Sequence, residues 1–85
     1  MIHAPARLYI LTYLYVVESA DYIFLKNLTG LTWGNLSAHA AKLAEAGYLE
    51  IEKSILNKKT HTVAKLTDKG RKAFEKYRDR MKEVL

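Results

Sequence analysis

The chain has 85 residues, 14 Lys plus Arg against 9 Asp plus Glu, a formal charge of +5 and no cysteine. That length suits one core, so a separate ligand-binding domain is not expected within it, and the modest burial open to so short a chain makes added burial from a second subunit useful. Without cysteine there is no disulfide, thiol catalysis or thiolate metal site, and the cytoplasm is the expected compartment.

Two further features narrow the classes. The apolar run 8–17 is too short to span a bilayer, and Glu18 falls where a leader cleavage site after Ala20 needs a small residue, so neither membrane attachment nor a targeting segment is expected. The charges are also segregated. Residues 1–52 carry three basic side chains (Arg7, Lys26, Lys42) against five acidic ones, whereas residues 53–82 carry eleven basic against three acidic. The C-terminal part is therefore the candidate for facing a polyanion.

In chain order, Pro5 suits a first helical turn, and the residues after it predict a helix over about 5–18. Ile10, Leu11, Leu14 and Val17 share one face of it, and Tyr9, Tyr13 and Val16 share nearly the opposite one. A helix apolar on two sides packs on two sides. The second side goes either to another subunit or to the C-terminal helix of the same chain. Ser19, Ala20 and Asp21 break the pattern, Tyr22-Ile23 suits a very short strand, and 24–29 reads as a short helix ended by Gly30. Thr32 has the chemistry of an N-cap for a third helix over about 32–46, which Gly47 can close in a left-handed conformation. Residues 48–55 and 60–66 read as the strands of a β-hairpin, with Asn57, Lys58 and Lys59 supplying the turn. Thr67 then caps a final helix over about 68–85, whose apolar positions Ala73, Phe74, Tyr77, Met81 and Val84 recur at helical spacing. The class is α+β, mainly helical, and 1–85 reads as a single domain.

Two short helices joined by the turn Gly30-Leu31-Thr32, followed by a basic hairpin, form an arrangement that fits a helix into a DNA major groove, about 12 Å wide. With Leu36, Ala40 and Leu43 turned inward, the groove-facing candidates are Thr32, Trp33, Gly34, Asn35, Ser37, Ala38, Ala41 and Lys42. Asn35 can pair bidentately with adenine, Ser37 can bond a base edge or a phosphate, and Ala38 and Ala41 can touch a thymine methyl. No arginine is at hand for guanine, so strong specificity would need a dimer, DNA shape or both. Trp33 covers a sugar-phosphate edge or packs on the preceding helix. His39 lies near the inward face, which favours a core histidine with one satisfied nitrogen. At the hairpin tip, Lys58, Lys59 and His61 are placed to neutralise phosphate charge.

The stretch Gly30-Leu31-Thr32-Trp33-Gly34-Asn35-Leu36-Ser37-Ala38-His39, with Lys42-Leu43, Glu45-Ala46-Gly47-Tyr48-Leu49, Lys58-Lys59-Thr60, Leu66-Thr67-Asp68-Lys69-Gly70-Arg71 and Ala73-Phe74, resembles a winged helix-turn-helix family of transcriptional regulators related to the MarR-like and ArsR-like groups. The resemblance covers nearly the whole chain. It implies a three-helix core, a two-stranded wing over about 49–66 and a C-terminal helix, with the third helix as recognition helix. It also implies a cytoplasmic homodimer built on the terminal helices, for which Tyr9, Tyr13, Val16, Phe74, Tyr77 and Met81 are the interface candidates. His3, His39 and His61 fall in different elements, so no metal is expected, and no cofactor or effector is indicated.

The resulting expectation is a sequence-preferring, double-stranded DNA-binding transcriptional regulator. A winged helix used for protein contact and an RNA-binding winged helix are the alternatives, although the aromatics do not form the exposed strand platform that stacks unpaired bases. No serine, histidine and acid grouping, phosphate-cradling glycine loop or metal-ligand spacing is present, and an enzyme is not expected.

Overall fold

The computed structural model describes residues 5–84; His3 lies outside the described residues, as does the side chain of Val84. The order is α1 (Pro5–Val17), β1 (Ser19–Asp21), α2 (Tyr22–Thr29), α3 (Trp33–Glu45), β2 (Leu49–Leu56), β3 (Lys59–Leu66) and α4 (Asp68–Val84). The strands form one antiparallel sheet of order β1-β3-β2.

The helix boundaries follow local chemistry. Asp21 caps α2, its carboxylate accepting the Phe24 N–H at 2.8 Å, and the Thr32 hydroxyl accepts the Asn35 N–H at 3.1 Å to open α3. At the end of α3, Gly47 takes φ +86° while its N–H reaches Ala44 O and the Tyr48 N–H reaches Leu43 O, both at 2.9 Å. This paired closure satisfies carbonyls that the helix would otherwise leave open. Thr67 does two jobs: its hydroxyl donates to Gly47 O at 2.6 Å and accepts the Gly70 N–H at 3.0 Å, joining the start of α4 to the end of α3.

One expected element moves. The short strand is Ser19–Asp21, and Tyr22 and Ile23 belong to the first turn of α2. Three residues carry too little periodicity to announce a strand; pairing with the free edge of β3, Ser19 opposite Lys65 and Asp21 opposite Val63, creates it. The hairpin therefore continues into a three-stranded sheet.

The core is built from Ile10, Leu11 and Leu14 of α1, Leu25 of α2, Leu36, Ala40 and Leu43 of α3, Leu49 of β2, Ala64 and Leu66 of β3, and Phe74 of α4. Val17, expected on the inward face of α1, is 40% exposed, because it falls in the final turn where the chain leaves for β1. Phe74 is corrected from interface candidate to core residue: it is 7% exposed and packs on Tyr15 with ring centroids 4.9 Å apart. Tyr15 anchors α4 to α1, since its hydroxyl donates to Glu75 Oε2 at 2.7 Å, and Arg71 and Arg78 lie over its ring at 4.8 and 5.5 Å. The helix start comes close enough that Gly70 is required. A Cβ there would collide with the Tyr48 carbonyl and come within 2.8 Å of Leu66 Cδ1.

Candidate nucleic-acid interface

Leu36, Ala40 and Leu43 fasten α3 to the core, which leaves Thr32, Trp33, Gly34, Asn35, Ser37, Ala38, Ala41 and Lys42 exposed. Helical spacing sorts the outward residues into two stripes. Asn35, Ala38 and Lys42 form one, a polar and small surface ending in a single positive charge. Trp33, Ser37 and Ala41 form the other, which turns toward the hairpin. His39 sits between exposed and core faces, half-buried, and its Nδ1 accepts the Arg7 Nε–H at 3.1 Å. The nitrogen is thus satisfied within the chain.

The stripe of Trp33, Ser37 and Ala41 forms one wall of a cavity of about 470 Å³. Ile51 and Lys53 of β2 and Thr60, His61 and Thr62 of β3 form the opposite wall, and Asp21, Tyr22 and Ile23 close the end. α3 and the hairpin therefore share one concave surface lined by both apolar and polar side chains. Trp33 is half-exposed here, with Lys26 Nζ 5.2 Å from its ring centroid. It is neither core nor fully free, because a cation of α2 covers one face. Burial raises the Tyr22 phenol above the ordinary tyrosine range.

The hairpin turns in only two residues, Asn57 at φ +50° and Lys58 at φ +63°, between Leu56 and its partner Lys59. Two successive positive φ angles match the twist of the flanking strands, and such turns favour Asn-Gly. Lysine therefore stands at the second position against its backbone preference. His61, expected at the tip, instead lies back along β3 opposite Ser54, half-buried at the cavity. The register places it there, because the strand begins at Lys59 and the turn is shorter than the polar run suggests.

Lys53, Thr60, Thr62 and Tyr22 belong to this surface and were not singled out by sequence reasoning. Alternation along β2 carried the signal for two of them: Lys53 follows Leu49 and Ile51 at every second position, and Thr62 is its cross-strand partner. Tyr22 had no such signal, since its place depends on β1 pairing.

On α1, Tyr9 and Val16 are 53% and 77% exposed. Tyr13 is half-buried and stacks on Phe24 of its own chain at 5.1 Å. With Pro5, Leu8, Thr12 and Leu28 these residues line an apolar groove of about 530 Å³. α4 covers the Tyr15 side of α1, and this groove stays open. Met81, toward the end of α4, is 38% exposed, and Tyr77 is half-buried. Among the described residues no helix is long and apolar enough to cross a membrane.

A helix locked to a core by its inner face, small and polar outside, with a basic two-residue hairpin beside it, defines the winged-helix class of DNA-binding domain. The model of the winged helix DNA-binding domain family matches residues 6–85, and the chain belongs to that family. An uncharacterized protein of Methanocaldococcus jannaschii is 40% identical over 75 residues, spanning 88% of this chain and 82% of the relative. Among solved structures, a transcriptional regulator homologue from Pyrococcus horikoshii superposes with TM-score 0.91 at 28% identity, covering 98% of this chain and 82% of its own. The regulator NadR, solved with 4-hydroxyphenylacetate, gives TM-score 0.75 at 23% identity over 95% of this chain and 62% of its own, a likeness of fold. The resemblance drawn from the motifs between Gly30 and Phe74 is thus borne out at the level of family and fold.

Proposed function

We propose that the protein is a transcriptional regulator that binds double-stranded DNA with modest sequence preference, α3 entering the major groove and the hairpin lying on flanking phosphates. The observation that carries this reading is the shared concave surface, in which Trp33, Ser37 and Ala41 of α3 face Lys53, Thr60 and Thr62 of the hairpin. A DNA backbone crossing between groove and wing meets hydroxyls, a lysine and a half-covered indole there. Asn35, Ala38 and Lys42 on the other stripe are left for base edges, and the Thr32 hydroxyl, accepting from Asn35, keeps its proton for a phosphate oxygen. The regulator named among the similar structures supports the biological role.

The recognition helix carries a single lysine, so one copy discriminates weakly, and the protein works as a homodimer on paired half-sites. The open groove around Tyr9 and Val16, uncovered by the chain's own α4, supports a subunit contact through α1, with Met81 and Tyr77 of α4 beside it. Substituting Tyr9→Glu together with Val16→Glu is expected to give a folded monomer by sedimentation and circular dichroism. A variant that stays dimeric, or that unfolds, overturns this assignment.

The direct test of function is selection of bound sites from random duplexes, followed by titration across salt. Binding should weaken linearly in log salt, and Lys58→Ala with Lys59→Ala should reduce the slope by about 1.8, about 0.9 for each phosphate no longer neutralised, on every sequence alike. Absent or salt-independent binding refutes the proposal.

A further inference from the structure

His39 is joined to α1 by a hydrogen bond whose direction is fixed. A guanidinium has no acceptor, so the Arg7 Nε–H donates and Nδ1 of the ring accepts, at 3.1 Å. Nδ1 therefore carries no proton, and the neutral ring holds its single N–H at Nε2. That Nε2 has no hydrogen-bond partner among the described residues. The one buried side-chain nitrogen or oxygen without a hydrogen-bond partner among them is Arg78 Nε, so Nε2 of His39 opens to solvent. The chain has oriented a donor and left its acceptor to come from outside.

The position of the ring on α3 selects that acceptor. At about 100° per residue, His39 lies about 200° round the helix from Ser37, on the flank away from the hairpin and one turn from both Asn35 and Lys42. Residues 1–52 hold three basic side chains, Arg7, Lys26 and Lys42. Arg7 and Lys42 stand at this flank, and Lys26 covers Trp33 on the other. A helix about 10–12 Å across fills a major groove about 12 Å wide, so each of its flanks meets a sugar-phosphate wall. Half-buried beside Leu36, Ala40 and Leu43, the ring is too far round to reach the groove floor, toward which Ala38 and Ala41 point. We infer that His39 Nε2–H donates to a phosphate oxygen on the wall of the major groove opposite the hairpin, with Arg7 as the positioning residue that sets the tautomer and angle of the ring. This rests on the DNA-binding reading above and ties α1, the helix of the proposed subunit contact, to the hold of α3 on the duplex.

The test uses a selected duplex in which each phosphate in turn is replaced by an uncharged methylphosphonate. For wild type, one replacement on the wall away from the hairpin is expected to weaken binding about tenfold, as loss of a hydrogen bond to a charged acceptor does. His39→Ala should bind the unmodified duplex about tenfold more weakly and lose that one sensitivity, while the salt slope stays unchanged because a neutral ring displaces no counterion. His39→Gln, whose amide keeps an N–H near the place of Nε2, should retain the sensitivity. In the free protein, nitrogen NMR should show the His39 ring as the Nε2–H tautomer. Arg7→Met should mix the two tautomers and weaken the same phosphate contact, which a purely structural role for Arg7 would leave in place. An Nδ1–H ring in wild type, or undiminished phosphate sensitivity in His39→Ala, overturns the inference. If His39→Ala unfolds, Arg7→Met decides, and full sensitivity in that variant overturns it as well. Wild-type protein that binds no duplex overturns the underlying DNA reading and the phosphate contact with it, while the tautomer still reports on Arg7.

Discussion

Replacing Lys58 by glycine separates what the wing tip costs the fold from what it contributes to binding. Lys58 sits at φ +63° directly after Asn57 at φ +50°, a left-handed pair in which glycine is the preferred second residue. Holding a side chain there costs about 1–2 kcal/mol, and glycine's freedom in the unfolded chain returns about 0.5–1 kcal/mol of that. Lys58→Gly is therefore expected to stabilise the domain by roughly 0.5–1 kcal/mol, which for a chain of this size raises Tm by about 2–8 °C. The same change removes one cation from the tip, so the slope of log affinity against log salt should become shallower by about 0.9. Thermal unfolding by circular dichroism and fluorescence anisotropy on a selected duplex read the two effects. A less stable variant refutes the strain at the turn, and an unchanged salt slope refutes a phosphate contact by Lys58.

Asn35→Ala should relax preference at one base position by about 1–3 kcal/mol with little change in salt slope, and an unaltered selected motif counts against base contact by Asn35. Gly70→Ala, which in an ordinary helix gains about 1 kcal/mol, should instead cost about 1–3 kcal/mol in urea unfolding because its Cβ meets the Tyr48 carbonyl; equal or greater stability contradicts that close approach. Tyr22 has a phenol raised from 10.0 by burial, so its neutral form is favoured in the folded state. The stability it contributes is complete below pH 10 and is lost as pH rises through the raised value. Wild type should thus lose ground to Tyr22→Phe as pH rises past 10, and a constant difference between the two excludes burial as the cause.

α3 was legible because each of its determinants is local. Thr32 as cap, Gly47 as left-handed closure, and Leu36, Ala40 and Leu43 at helical spacing define both the ends of α3 and the face it buries. Once that face is known, the positions of Asn35, Ser37, Ala38, Ala41 and Lys42 follow from 3.6 residues per turn. His39 was legible for the same reason, although its partner Arg7, 32 residues away, was not.

What the sequence by itself determined is the order of elements, the amphipathic faces and the basic hairpin, since periodicity and turn chemistry act over a few residues. What only the tertiary structure decided are the outcomes of competition between distant segments. β1 exists because β3 has a free edge at Lys65 and Val63. Phe74 fell to the core because Tyr15 captured α4, which in turn left the Tyr9 and Val16 side of α1 open. His61 moved from tip to cavity wall because strand pairing shortened the turn to two residues. In each case two placements satisfied the local pattern equally, and contacts far away in the chain selected between them.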